Sequence, residues 1–345
     1  MALSKKTKLA GSATVMVAAV ALALIFNRPE SAAATQSTDD AYIRAEITSV
    51  APEITGLVEA VLVEENQPVR AGQLLVQIDD REYVLAERNA AAALAHARAA
   101  ADGIHAQIEV QQSVIRQAQS TIEADQATRE LARLDYSRYK SLAADGSGTV
   151  QARQQAKARL QVEKAQQTKD QAILQAQKGR QAALQADLLR AQAEIRQAEA
   201  ALAQARLDLS RTRITAPIAG TIGHKRVRVG NYARTGDPLL TLVPLTDIYI
   251  EANFRETQLA RMRQGQPVRV TVDALPGRTF TGTVQSLGPA SGVSYSVIAP
   301  HNATGNFTKI VQRLPVRIAL DPQQDGADQL RVGMSVQPEV DVNAR

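Results

Sequence analysis

Hydrophobic positions recur every seven residues through the middle of the chain, which predicts long helices that pack along one seam. Between Arg81 and Ala143 there is no proline and a single glycine, Gly103, and good helix formers dominate. One seam position holds Leu94, Ala101, Ile108, Ile115 and Ile122, and the companion position holds Ala90, Ala97, Ile104 and Ala118. A period of about 3.5 residues is typical of coiled coils, so we predict one continuous helix here.

A second helix with the same kind of seam follows a short turn. The turn, Asp145-Gly146-Ser147-Gly148, consists of residues that favour tight turns. After it, one seam position holds Leu160, Leu174, Leu188, Ile195, Leu202 and Leu209, and the other holds Leu184, Ala191, Ala198 and Ala205. Two helices of equal length around one turn predict an antiparallel hairpin, whose arms reach roughly 90 Å at ~1.5 Å per residue.

The seam of this hairpin is polar in its middle. Four of its positions hold Glu163, Gln167, Asp170 and Gln181. Polar side chains at seam positions weaken a two-stranded coiled coil. The sequence therefore indicates that neighbouring protomers supply part of the packing.

Two separate stretches with strand-like alternation repeat each other on either side of the hairpin. APEITGLVEAVLVEENQPVRAGQLLVQI spans Ala51–Ile78, and APIAGTIGHKRVRVGNYARTGDPLLTL spans Ala216–Leu242. Both carry two glycines at the same spacing, with short alternating runs and turn residues between them. Neither copy is large enough to bury a core alone, so we predict that the two pair into one small β domain.

Strand alternation resumes after this domain. The run DIYIEANF begins at Asp247, a short helix is expected around Glu256–Arg263, and Pro276-Gly277 is a turn between later strands. Residues 307–320 and 331–342 alternate again. These segments predict a small β-barrel or sandwich as a second β domain.

The N-terminal segment predicts the location of the chain. Lys5, Lys6 and Lys8 precede an uncharged stretch, Leu9–Phe26, that is nearly long enough to span a hydrocarbon core. Positive charge before such a stretch predicts a cytoplasmic N-terminus and a single-pass inner-membrane anchor. A cleaved signal peptide is the alternative, since Ala32–Ala34 offers a small-residue cleavage site. On either interpretation the following residues lie outside the cytoplasm.

Composition and motifs argue against several classes of protein. Without cysteine the chain has no disulfides, thiolate metal sites or cysteine nucleophile. The net charge of +5 is dispersed among acidic residues, which does not favour nucleic-acid binding. The four histidines lack metal-ligand spacing, and no phosphate loop, nucleophile elbow or zinc-protease pair occurs. We therefore expect no catalytic residues, no cofactor and no metal.

An anchor, a split β domain, a long hairpin inserted between its halves and a following barrel together resemble the HlyD family of membrane fusion proteins, in its EmrA-like branch. The repeated halves look like those of a lipoyl domain, and SYSVIAPHNATGNFTKIVQRLPVRI, Ser294–Ile318, is similar to the EmrA-type stretch of the barrel. The resemblance implies a mixed α and β, elongated, multidomain fold. The chain then begins with a cytoplasmic tail at 1–8, an anchor at 9–26 and a linker at 27–44. The first lipoyl-like half spans 45–80 and is followed by helix 1 at 81–143, the tip at 144–149 and helix 2 at 150–210. The second lipoyl-like half spans 211–244, and the barrel spans 245–345.

The resemblance also implies a function and a site. Arg138, Leu142 and Thr149 match the family's tip motif of Arg, then Leu four residues on, then Ser or Thr seven further. In the family this motif contacts an outer-membrane TolC-like channel. The expected function is a periplasmic adaptor of a tripartite drug efflux pump, a trimer or hexamer that also binds an inner-membrane transporter of the major facilitator type.

Simpler interpretations of the site and other functions stay open at this stage. Arg138 could be a solvated arginine, Leu142 could close the hairpin end, and Thr149 could be an N-cap. An adaptor for an ATP-driven protein or polysaccharide exporter is the nearest alternative. A lipoyl or biotin carrier is a third, but its cofactor lysine belongs at the turn between the two halves, where the hairpin is inserted. A passive coiled-coil scaffold would not need the repeated β halves.

Overall fold

The structure is a computed structural model that describes residues 33–295 and 311–344. The chain divides into two compact units, one formed by residues 79–213 and the other by the chain before and after them. Within the described residues, no helix is long and apolar enough to cross a membrane. The predicted cytoplasmic tail and anchor, 1–8 and 9–26, lie outside the described residues, as does most of the EmrA-type stretch.

Residues 79–213 form a helical hairpin. Helix α1 spans Arg81–Ala144 and helix α2 spans Val150–Arg211, so each is more than sixty residues long. The helices run antiparallel, because Arg98 pairs with Glu199 at 2.9 Å near one end while the Arg129 guanidinium donates to Gln167 Oε1 at 2.8 Å nearer the turn. Neither helix contains proline, so nothing interrupts the backbone hydrogen bonds until the Gly-rich turn.

The predicted heptad seam is confirmed. The buried apolar residues of the two helices are Leu94, Ala97, Ala101, Ile108, Ile115, Ile122, Ala132, Ala156, Ala191 and Leu202. The polar middle is confirmed as well, since Gln167 and Asp170 are buried, together with Gln111 of α1. Gln111 Nε2 donates to Gln177 Oε1 at 2.9 Å, so hydrogen bonds replace apolar packing here.

The split β domain consists of two four-stranded sheets. Its strands are β3 Thr48–Val50, β4 Gly56–Val61, β5 Pro68–Val69, β6 Leu74–Ile78, β7 Arg213–Thr215, β8 Gly220–Ile222, β9 Tyr232–Ala233 and β10 Leu240–Val243. One sheet has the order β3-β10-β8-β5 and the other β7-β6-β4-β9. In each sheet a central pair from one half is flanked by strands from the other half. The halves therefore exchange strands symmetrically, and neither sheet exists without both.

The repeated glycines explain part of this symmetry. Gly72 and Gly236 both adopt positive φ, 78° and 86°, which L-residues with a Cβ rarely adopt. Each donates its N–H across to the opposite half, Gly72 to the Ala216 carbonyl at 2.8 Å and Gly236 to the Pro52 carbonyl at 3.0 Å. The turn that the glycine permits thus holds the two halves together.

A seven-stranded sheet forms the barrel. Its strands are β1 Thr35–Ser37, β2 Ala41–Ala45, β11 Ile248–Arg255, β12 Pro267–Val272, β13 Thr279–Leu287, β14 Arg313–Leu320 and β15 Val336–Asp341, in the order β1-β15-β12-β13-β14-β11-β2. The Ile43 N–H donates to the Met334 carbonyl at 3.0 Å, and Tyr42 pairs with Ser335, which joins β2 to the start of β15. The interior is filled by large apolar side chains, among them Phe254, Phe280 and Ile318.

The structure differs from the sequence prediction in residues 27–44, which we expected to form a linker. Strand β1 and most of β2 lie in this segment and pair with β15 and β11. Side chains reinforce the pairing, since Arg313 contacts Asp40 at 3.1 Å and Thr38 Oγ1 donates to the Asn253 carbonyl at 2.9 Å. These partners lie more than two hundred residues away in sequence, so the local pattern carries no sign of them. With this addition, the structure confirms the mixed α and β fold class.

Candidate functional site at the hairpin tip

A compact turn connects the two helices at the tip. Gly146 adopts a φ of 74° and allows the chain to reverse after Ala144. The Leu142 carbonyl accepts from the Ser147 N–H at 3.0 Å and from the Gly148 N–H at 2.8 Å. Carbonyl groups at a helix C-terminus lack partners within the helix, and here the turn supplies them. The tip is consequently a defined structure that can present side chains in fixed directions.

Thr149 begins the second helix as its N-cap. Its backbone is extended, and Oγ1 accepts from the Ala152 N–H at 3.1 Å. This bond satisfies one of the free N–H groups at the start of α2. The capping interpretation of Thr149 is thus confirmed, and any contact with a partner would be additional.

Arg138 lies exposed two turns before the end of α1. Its side chain is 64% exposed, and its guanidinium lies 3.4 Å from the Asp135 carboxylate one turn earlier. Exposed ion pairs of this kind contribute about 0–1 kcal/mol, so little holds the guanidinium in place. Its fork of donors is available for a carbonyl or carboxylate acceptor on another molecule.

Leu142 lies one turn after Arg138 on the same face of α1 and is half exposed, with 38% of its surface in solvent. The turn packs against its inner side, because a Cβ added at Gly148 would lie 2.9 Å from the Leu142 Cβ. Leu142 thus both supports the turn and offers apolar surface outside it. The structure brings Arg138 and Leu142 together on one face and places Thr149 across the turn at the start of α2.

Two further exposed side chains at the tip were missed by the sequence analysis. Val150 follows the cap and is 57% exposed, and Tyr139 is exposed beside Arg138. Tyr139 also lines a shallow groove of about 240 Å³ between the helices, together with Asp135 and Arg159. The sequence carried a signal for both, because two large side chains stand next to the predicted turn. Tyr139 is on the last companion heptad position before it, and Val150 is off the heptad just after it.

A metal centre and a cofactor lysine are the other kinds of site to be located in the described residues. In residues 33–295 and 311–344, no group of three His, Asp or Glu side chains is placed to hold a metal ion. The connection between the two β halves, where a carrier protein holds its cofactor lysine, is the hairpin.

Family models match two stretches of the chain. The barrel-sandwich hybrid domain of the RND membrane fusion proteins matches residues 46–244, which is more than half of the chain. The CusB-like β-barrel domain matches residues 247–293. The two matches meet where the split β domain gives way to the barrel.

Curated relatives are similar over most of the chain. Colistin resistance protein EmrA of Acinetobacter baumannii is 37% identical over 310 residues, covering 89% of this chain and 87% of that protein. Fatty acid resistance protein FarA of Neisseria gonorrhoeae is 35% identical, covering 89% of this chain and 76% of that protein. Multidrug export protein EmrA of Escherichia coli K12 is 34% identical, covering 90% of this chain and 77% of that protein.

Solved structures share the fold. The membrane fusion protein Spr0693 from Streptococcus pneumoniae R6 superposes with a TM-score of 0.55 at 17% identity, covering 89% of this chain and 98% of that one. MacA from Actinobacillus actinomycetemcomitans superposes with a TM-score of 0.51 at 19% identity, covering 89% and 80%. At these identities the likeness concerns the fold.

Proposed function

Because the chain belongs to the HlyD family of membrane fusion proteins, in its EmrA-like branch, and is a periplasmic adaptor of an efflux pump, we propose that it joins an inner-membrane transporter of the major facilitator type to an outer-membrane TolC-like channel. The family is structural and non-catalytic, and its adaptors of Gram-negative envelope pumps are largely periplasmic. In this proposal the chain acts by geometry alone, with no catalytic residue and no cofactor.

The tip carries the proposal. Arg138 and Leu142 combine a loosely held guanidinium with apolar surface on one face, beside a turn fixed by hydrogen bonds. Aromatic and arginine side chains are enriched among the anchors of protein interfaces, and Tyr139 follows Arg138 directly at this tip. The tip of a hairpin with arms of roughly 90 Å is a position from which a periplasmic protein can reach a distant membrane.

The proposed cargo is a hydrophobic drug or another toxic amphiphile. The names of the relatives refer to colistin resistance, fatty acid resistance and multidrug export. Colistin and fatty acids each combine a hydrophobic part with a polar or charged part. We assign the same class of cargo to the pump that this chain serves.

The proposed assembly is a trimer or hexamer anchored in the inner membrane. Large apolar side chains lie in solvent along the hairpin, with Val110, Val162 and Leu189 each about two-thirds exposed. Neighbouring hairpins would cover such residues. The anchor at 9–26 predicts an uncleaved N-terminus, and N-terminal sequencing of the membrane-extracted protein tests it, because a mature chain that starts near Thr35 contradicts the anchor.

Site-specific crosslinking tests the bridge to the outer membrane. The chain has no cysteine, so Asp145→Cys at the tip accepts a photoactivatable crosslinker at one position. In cells we expect it to capture an outer-membrane channel, and the exposed Gln175→Cys on α2 serves as the control. Loss of resistance to hydrophobic drugs on deletion of the gene is the second expected result. Capture from both positions, or unchanged resistance, contradicts the proposed function.

A further inference from the structure

Two aspartates meet across the polar middle of the hairpin seam. Asp170 of α2 is buried, with 8% of its surface exposed. The Asp125 carboxyl of α1 lies against it. Within the part of the chain that the structure describes, Oδ2 of Asp125 is shielded from solvent and has no hydrogen-bond partner. A shielded carboxylate oxygen with no donor is costly, so this pair needs an explanation.

The hydrogen-bond donors and positive charges near the Asp125 carboxyl either bind other groups or interact with it weakly. Gln166 Nε2 donates to Asp170 Oδ2 at 2.6 Å, which leaves Asp125 without that donor. The guanidinium of Arg129, one turn after Asp125 on α1, donates to Gln167 Oε1 instead. From α2, Asp125 faces Asp170, Glu163 and Lys169, two acids and one base. Lys169 is exposed, so solvent screens its positive charge.

The electrostatics of the site favour a bound proton. Burial raises the pKa of the Asp125 carboxyl above its ordinary value of 3.8, and the carboxyls of Asp170 and Glu163 raise it further. Lys169 lowers this pKa by less. Two carboxyl groups in contact cannot both be ionised without strong repulsion, so the pair holds on to a proton at a higher pH than a solvated aspartate does.

We propose that Asp125 and Asp170 form a proton-binding site that ties α1 to α2. In the protonated pair one carboxyl O–H donates to the carboxylate of the other, which supplies the partner that Asp125 Oδ2 otherwise lacks. When the proton leaves to water, two negative charges face each other across the seam. The proton site belongs to the hairpin itself and is independent of the transporter and channel that it serves.

Loss of the proton acts where the seam is weakest. A groove of about 270 Å³ adjoins Asp170 and is lined by Val114, Ala118 and Ile173, among others. The apolar side chains at this groove already lie partly in solvent. Repulsion between the aspartates would loosen α1 from α2 at this level, so proton release would expose more apolar surface in the middle of the hairpin.

The sign of the pH dependence follows from the raised pKa. The folded hairpin binds a proton that the unfolded chain releases, so the stabilisation is fully present below about pH 3.8 and is lost as pH rises through the folded pKa. The helix signal of the full-length chain should therefore melt at a lower temperature as pH increases. Between a pH below about 3.8 and about pH 8, we expect this contribution to shift the melting temperature by about 2–4 °C.

Asp125→Asn is the central test. The amide is neutral at every pH and can donate to Asp170, so the variant should melt above the natural chain at about pH 8 and lose the pH-dependent difference. Glu123→Gln is the matched control, because Glu123 is exposed on the same helix and its loss should leave the profile unchanged. Parallel pH profiles for Asp125→Asn and the natural chain would overturn the proposal, as would an asparagine variant that melts lower at about pH 8.

A distance measurement tests the same site without unfolding. Spin labels on Ala124→Cys and Gln171→Cys, both exposed, report the separation of the helices beside the pair. The distance distribution should broaden as pH rises, and adding Asp125→Asn should abolish the change. A distribution that ignores pH in the natural sequence contradicts the proposal. Removal of divalent cations with a chelator should have no effect at either pH, and an effect that Asp125→Asn abolishes would show a bound metal ion instead.

Discussion

The β-barrel packs large apolar side chains into its interior, whereas the helical hairpin leaves many of its large apolar side chains in solvent. Phe254 and Phe280 are almost fully buried in the barrel, while Val162 and Leu189 on the hairpin are about two-thirds exposed. Alanine and glutamine, which bury little apolar area, hold about half of the buried seam positions of the hairpin. The free energy gained per buried area is similar everywhere, so the barrel gains more per residue from its own fold.

The difference indicates that the barrel is stabilised by its own core, whereas the hairpin depends in part on contacts with other molecules. A barrel that buries its own core is stable without partners. A hairpin with a weak seam and apolar residues outside it gains stability when other molecules cover those residues. The tip follows the same division, because its turn is held by internal hydrogen bonds while Arg138 and Leu142 face outward.

The largest expected effect breaks the barrel. Phe280→Ala removes a fully buried ring and should cost about 3–5 kcal/mol, since the surrounding strands cannot close the cavity. Hydrogen exchange read by mass spectrometry separates the regions, and barrel peptides should exchange faster while hairpin peptides stay unchanged. Equal acceleration in both regions would mean that they unfold as one unit.

Arg138→Asp should have the next largest effect, on docking and not on folding. Facing a partner's acceptor with a like charge costs a few kcal/mol, or roughly a hundredfold in affinity, whereas a surface change alters stability by about 0.5 kcal/mol or less. Tip crosslinking and drug resistance should both fall while the circular dichroism spectrum is unchanged.

Arg190→Asp is the matched control for the tip. Arg190 is also an exposed arginine paired with an aspartate three residues earlier, Asp187, at 2.7 Å. It lies on α2, far along the helix from the turn. If both variants lose crosslinking equally, the tip assignment fails, and if Arg138→Asp retains crosslinking and resistance, it fails as well.

Leu202→Ala sharpens the comparison between the two interiors. Leu202 is buried at the seam, but the site is open at its edges and alanine is the better helix former, so we expect a loss of about 2 kcal/mol, at the low end for a buried leucine. Leu330→Ala in the barrel is the counterpart and should cost more. Hydrogen exchange of the surrounding peptides measures both, and a larger loss at Leu202 would contradict the contrast.

Thr149→Ala should have the smallest effect. Removing the Oγ1 acceptor leaves the Ala152 N–H unpaired and should cost about 1 kcal/mol, confined to the first turn of α2. Faster exchange of the amides at the start of α2 is the expected observation. Thr149→Ser keeps the acceptor and should restore protection. If these amides exchange at the same rate in Thr149→Ala and Thr149→Ser, the hydroxyl does not cap α2.

Much of the helical region could be predicted from the sequence. The predicted helices, 81–143 and 150–210, end within one residue of Arg81–Ala144 and Val150–Arg211. A heptad, a run without proline and a glycine-rich turn are local signals, and a helix satisfies its hydrogen bonds within itself. The positions of Arg138, Leu142 and Thr149 about the turn followed from the same local pattern.

The β region shows where prediction from sequence ended. The repeat of Ala51–Ile78 in Ala216–Leu242 indicated that two halves pair, but the exchange of flanking strands between the two sheets did not follow from it. The sequence predicts a linker where β1 and most of β2 lie, because short segments such as Thr35–Ser37 carry too few residues for an alternation to be recognised. Their partners are supplied by strands at the other end of the chain.

The sequence by itself therefore determined the hairpin and its turn, because their hydrogen bonds form between residues close in the chain. It also determined that two related β halves exist. The tertiary structure decided which strands pair. It also placed the Thr149 hydroxyl as the N-cap of α2 and brought Asp125 against Asp170. Asp125 occupies the heptad position seven residues after Ala118, but nothing near it in sequence identifies which residue of α2 lies opposite it. Contacts between residues distant in the chain depend on register and packing, and only the folded chain sets these.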